Sequence, residues 1–150
     1  MKTFPRIAII LAGLIVAGCV SIPIASSDLD ASAKTFSPSD GEANLYIARN
    51  VDVIGFLYSP QIVVDGRMIG TITYNTYLLV SIEPGHHTVV ATSRWGTTQT
   101  TLEADAGKNY FFWFNWHHSW MGLGMTIQQI DEESGKEIVQ DGRRVPGTAD

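Results

Sequence analysis

The 150-residue chain has one cysteine, so it can form no internal disulfide framework and no cysteine-rich zinc site. It also lacks a basic excess: ten Lys and Arg against fifteen Asp and Glu give a net charge of −5. That balance argues against a protein that tracks the phosphates of a nucleic acid. A glycine-rich phosphate loop of Walker or dinucleotide type is missing, as is a Gly-x-Ser-x-Gly nucleophile elbow. There is no internal repeat, and the length leaves no room for two catalytic domains. What the chain does have is apolar: 45% hydrophobic residues with fifteen aromatics, enough to bury a core.

The amino terminus carries targeting information. Lys2 and Arg6 precede the apolar run from Ile7 to Val16, the pattern of a secretory signal peptide. Val16-Ala17-Gly18-Cys19 then resembles the lipobox of bacterial lipoproteins. The resemblance implies diacylglyceryl transfer to the Cys19 thiol and cleavage before it, making residues 1–18 the signal peptide. An aspartate after the cysteine commonly retains such proteins in the inner membrane. Val20 stands there instead, so the expected location is the periplasmic face of the outer membrane. An uncleaved anchor is a poorer reading, because Ser21, Pro23, Ser26 and Ser27 suit a lipid-facing helix badly. Without Lys2 and Arg6 the mature chain carries eight basic and fifteen acidic residues, or −7, and should stand off anionic lipid.

Residues 19–42 read as a lipidated terminus and flexible tether, rich in Ser, Ala, Asp and Pro, that would reach roughly 75 Å when fully extended. From Ala43 the punctuation is all-β. Asp65-Gly66 suits a tight hairpin turn between Gln61–Val64 and Arg67–Thr73, and Pro84-Gly85 ends a strand over Thr76–Glu83. Further strands are expected over His86–Trp95, Thr97–Ala104, Asn109–Trp116 and Gly124–Asp131. The spacing predicts an antiparallel β-sandwich of about seven to eight strands over residues 43–139. Glu132–Val139 fits a short helix or an edge strand, and residues 140–150 a flexible tail.

Ala33-Lys34-x-Phe36-x-Pro38, Gly41-x-Ala43-x-Leu45-Tyr46-Ile47-x-Arg49, Val64-Asp65-Gly66-x-x-Ile69-Gly70, Pro84-Gly85-x-His87 and Gly107-Lys108-x-Tyr110-Phe111 follow one another along the chain. This pattern resembles bacterial lipoproteins carrying a domain of unknown function, similar to PEGA-like and prealbumin-like sandwiches. It covers roughly residues 33–131, leaves His117–Gly124 without a counterpart, and implies a fold rather than an activity.

Chemistry-bearing residues are sparse. His86 and His87 are adjacent in a strand and point to opposite faces, so they do not easily share an ion. His117 and His118 could turn inward from a loop, with Asp105, Asp131 or Glu132 as a third donor, but no metal-site spacing joins them. Acylation would remove Cys19 as a nucleophile, and no second cysteine exists. No catalytic residue, metal site or cofactor is therefore assigned.

The segment from Asn109 to Trp120 holds seven of the fifteen aromatics. Residues 110–114 suit a strand buried on both faces. Beyond Asn115 a loop is expected, exposing large rings. Trp113, Trp116, His117, His118 and Trp120 are the candidate binding residues, for an envelope protein or a glycan. The expectation is a non-catalytic binding or assembly module, held to the membrane by lipid on Cys19. The alternatives are a metal-dependent or hydrolytic enzyme using His117 or His118, and a purely structural spacer.

Overall fold

The computed structural model describes residues 22–50, 58–120 and 122–148. Within them run α1 (Ser27–Ala33), β1 (Ala43–Arg49), β2 (Gln61–Val64), β3 (Arg67–Thr71), β4 (Thr76–Ile82), β5 (Gly85–Ser93), β6 (Gly96–Ala104), β7 (Asn109–Ser119), β8 (Gly122–Ile130), α2 (Glu132–Asp141) and β9 (Arg143–Arg144). Two sheets pack face to face, one ordered β8-β7-β1-β4-β9 and the other β3-β2-β5-β6. The all-β sandwich is the architecture of the chain. Most neighbours are antiparallel, but β1 pairs with β7, and β4 with β9, in parallel. The chain leaves the first sheet after β4, builds β5 and β6 in the second, and returns alongside β1.

Local chemistry explains the turns. Asp65 and Gly66 both take positive φ, 50° and 79°, joining β2 to β3 by the tight turn their residue types favour. β1 is buried along its whole length, because alternate residues face two different layers. Leu45 and Ile47 join Phe112, Phe114, Leu78 and Val89 between the sheets. Tyr46 and Ala48 face the opposite way, into a second cluster with Tyr77, Phe111 and Val139. The helices cover that outer face. Asp131 caps α2 by accepting from the Ser134 amide at 2.9 Å, and the buried face of the helix presents Gly135 and Val139.

Three expectations are corrected. Residues 22–42 are not a free tether: α1 is docked on the sheet, with the Tyr46 hydroxyl donating to the Ala33 carbonyl at 2.7 Å and the Tyr77 hydroxyl to Asp30 Oδ1 at 2.8 Å. Residues 143–148 are not a frayed tail either. Val145 N donates to Tyr77 O, and Thr148 N to Ile69 O, so this segment ties the edge of the first sheet to β3 in the second. Both segments lack periodicity in sequence because one short turn or a few backbone bonds suffices to hold each. Third, the stretch after Asn115 is strand: β7 continues to Ser119 and pairs with β8 down to Ser119↔Gly122. Cys19 and the lipobox lie outside the described residues.

The sandwich has two unlike ends. One gathers the turns after β4, β6 and β8 and the segment leading into β1. The other gathers the segment preceding β2, the β5–β6 turn, the β7–β8 tip and the chain at Ile22, which lines one cleft with Ser59, Thr71 and Pro146.

Candidate functional site

At this second end four side chains interlock. Tyr58 precedes β2, and its carbonyl accepts from Nη1 of the buried Arg49 at 2.6 Å. Its ring lies 5.8 Å from that of Trp95, edge to face at 83°, and 5.8 Å from that of Trp116. The Arg94 guanidinium sits over both exposed-side rings, 5.2 Å from Tyr58 and 5.1 Å from Trp95, within cation–π range. Trp95 occupies the β5–β6 turn because Gly96 takes φ 138° and the Ser93 hydroxyl accepts from the Trp95 amide at 3.0 Å. Tyr58, Ser59, Gln61, Thr92 and Trp95 line a groove of about 530 Å³. Among the described residues no carboxylate pairs with Arg94.

The structure separates the five candidate binding residues. Alternation places Trp113 and His117 on the outer face of β7 and Trp116 and His118 on the inner one. Trp113 is half-buried. Trp116 is a core residue, 4% exposed and edge-on to Phe114, contrary to a loop position. Its indole Nε1 meets no acceptor among the described residues. His117 and His118 are exposed, His117 with its ring against Gly124 and Nδ1 3.2 Å from the Thr126 hydroxyl. Trp120 alone projects, 94% exposed at the tip. The Ser93 hydroxyl meets Met125 Sδ at 3.3 Å, and Met125 lies opposite Trp116. The β7–β8 hairpin therefore continues on the order of 10 Å beyond the level of Ser93.

The possible third donors for a metal are elsewhere. Asp105 and Asp131 lie at the opposite end of β7 and β8 from His117 and His118, and Asp131 is occupied capping α2. Among the described residues no three His, Cys, Asp or Glu side chains are grouped to hold an ion.

The polar pair of note is also at the far side of the sandwich from the aromatic groove. His87 Nδ1 is 2.6 Å from Asp65 Oδ2, and His87 Nε2 donates to the Glu83 carbonyl at 2.7 Å. Partial burial opposes charge on both groups. The mutual hydrogen bond and ion pair outweigh it, helped by the Glu83 carbonyl at His87 and the Thr88 amide at Asp65, so His87 is raised and Asp65 lowered. This pair fastens the β2–β3 turn to the start of β5.

Sequence reasoning missed Tyr58 and Arg94 and treated Trp95 as an ordinary strand end. The available signal was a tryptophan directly before Gly96, where a turn exposes its ring. Nothing local announces Tyr58, which reaches Trp116 only through the packing of the two sheets.

Residues 39–124, more than half of the chain, match the family described as "Protein of unknown function (DUF2846)". The chain belongs to this family. The matched span runs from the lead-in to β1 through the β7–β8 tip, and so includes His117–Gly124. An uncharacterized protein of Haemophilus influenzae is 28% identical over 139 residues, covering 92% of this chain and 82% of its own length. No solved structure matches the chain.

Proposed function

We propose that this family member is a lipoprotein of the bacterial outer membrane, anchored through acylated Cys19, whose periplasmic sandwich is a non-catalytic binding or assembly module. The observation that carries the anchoring is the order of elements at the amino terminus: basic residues, an apolar run, then Val16-Ala17-Gly18-Cys19. Two or three acyl chains hold a protein stably where one is marginal. Among the described residues no helix is long and apolar enough to cross a membrane.

The binding half of the proposal is favoured by the aromatic end. Trp95 is 50% exposed beside the Tyr58–Arg94 stack and Trp120 is 94% exposed at the β7–β8 tip of the same end, and exposed large rings gathered at one end mark contact surfaces. Growth with a labelled fatty acid tests the anchor: the parent should incorporate label and Cys19→Ala should not. Equal labelling of the two would overturn the lipoprotein reading.

A further inference from the structure

We propose that the partner of the aromatic end is the bilayer itself: the end carrying Tyr74, Arg94, Trp95 and Trp120 sits in the phospholipid headgroup region around the Cys19 anchor. This rests on the lipoprotein reading above.

The first ground is chain length. Because residues 25–34 are bonded to the sandwich, the free reach of the anchor is set by Cys19 to Ile22 and not by the whole segment to residue 42. Three residues span about 11 Å at most. Ile22 packs against the core in the cleft lined by Ser59, and Ser59 also lines the groove of Tyr58 and Trp95. A lipid on Cys19 thus enters the membrane directly beside this end.

The second ground is where exposed apolar side chains lie. Ile24, Leu29, Met68, Tyr74, Trp95 and Trp120 are the large hydrophobics exposed among the described residues. Four of them, Ile24, Tyr74, Trp95 and Trp120, belong to the end where the chain enters at Ile22; Leu29 is on α1 and Met68 on β3. Tryptophan and tyrosine favour the membrane–water interface, where an apolar ring and a polar edge are both satisfied. Trp120, at the tip of the β7–β8 hairpin, is the most exposed of them.

Charge gives the third ground. Among the described residues the opposite end carries Asp40, Glu42, Asp65, Glu83, Glu103, Asp105 and Asp131 against Arg67 and Lys108, whereas the aromatic end presents Arg94 and Arg143. Glu137 and Asp141 on α2, and Asp28 at the start of α1, lie toward this end on the outer face. The acidic excess therefore points away from anionic lipid. Arg94, stacked on two rings and without a carboxylate partner among the described residues, is placed to meet a lipid phosphate.

The test uses the full-length processed protein in vesicles of phosphatidylethanolamine and phosphatidylglycerol, compared with vesicles whose acyl chains are brominated near the headgroup. Intact mass first establishes whether Cys19 is acylated, so failure of the anchor is read separately. Bromine should quench roughly half of the tryptophan emission, two of the four tryptophans being exposed at this end. The variant with Trp95→Phe and Trp120→Phe should lose most of that quenching. An acylated parent that shows no bromine quenching, its tryptophans still open to aqueous iodide, would overturn membrane seating while leaving the lipoprotein reading intact. Tryptophans shielded from iodide only after peptidoglycan or envelope protein is added would likewise overturn it in favour of that other partner. The parent measurement needs no variant to fold.

Discussion

His87 presents each ring nitrogen to an acceptor, Asp65 on one side and the Glu83 carbonyl on the other, which only the doubly protonated imidazolium can satisfy fully. The folded state therefore raises His87 above its ordinary 6.5 and lowers Asp65 below 3.8. A raised histidine contributes fully below its unfolded value, and the contribution disappears as pH climbs through the folded one. A lowered aspartate contributes above its unfolded value and loses this as pH falls through the folded one. The pair should help most between about pH 4 and 6.5. With Asp65 half-exposed, the effect should be on the order of 1 kcal/mol or less. Melting midpoints of the parent and His87→Gln, followed from pH 5 to pH 9, should converge as pH rises; parallel curves would show that the ion pair contributes nothing. Trp116 illustrates a different residue-scale balance. Its ring fills the last layer of the core, at the cost of burying an indole N–H that finds no acceptor among the described residues.

Among the elements, α2 is positioned by what it lacks. Glycine in a helix interior is normally worse than alanine by about 1 kcal/mol. At Gly135, however, an added Cβ would run into Cβ and Cγ of Phe111, atoms close to the β7 backbone that cannot swing away. Overpacking of this kind costs roughly 1–3 kcal/mol, so the clash outweighs the gain in propensity. Gly135→Ala should accordingly destabilise, by about 1 kcal/mol in urea unfolding. A stabilised variant would mean that α2 rides looser on the sheet than the stacked Tyr46 and Phe111 rings, 4.9 Å apart, imply. The β7–β8 hairpin depends on a similar omission, since Gly124 leaves room for the His117 ring.

At the level of the whole molecule, the amino-terminal segment and the carboxy-terminal strand are held by one shared network. Asp30 accepts from the Tyr77 hydroxyl, the Arg144 amide and Lys34 Nζ, at 2.8, 2.9 and 2.8 Å. Burial opposes charge on its carboxyl, but these donors hold it below the usual carboxylate range. Burial likewise pushes the Tyr46 phenol up to about 12 and, with Asp30 alongside, the Tyr77 phenol further, so both remain donors. Tyr77→Phe removes one charge-assisted bond and should cost about 1.5–3 kcal/mol. Hydrogen exchange should quicken at Ala25, Asp30 and Lys34, whose amides bond to Arg144, Ser26 and Asp30 carbonyls. Unchanged exchange there would mean that α1 docks independently of Tyr77. On the proposed anchoring through Cys19, this docking would also shorten the membrane connection and hold close a domain expected to stand off.

The sandwich was legible in sequence because its signals are local. Asp65-Gly66 and Pro84-Gly85 prescribe turns, and runs such as Leu78-Leu79-Val80 fit a pleat with a buried face. The pairing of β1 with β7 was not, since parallel partners meet through packing and not through an intervening turn. The same holds for α1 and residues 143–148, whose anchorage depends on hydroxyls and carbonyls contributed from far along the chain. Of the candidate site, the aromatic wealth of residues 110–120 was plain, but which rings are core and which are surface was not. Strand alternation assigns faces only once the strand's end is known, and β7 ends at Ser119 because β8 pairs with it that far. Composition by itself determined an acidic chain with fifteen aromatics, and the order of residues 2–19 its resemblance to a lipoprotein amino terminus. The tertiary structure decided that Tyr58, Arg94 and Trp95 form one end, because only two packed sheets bring the segment preceding β2 against Trp116 and the β5–β6 turn against Tyr58.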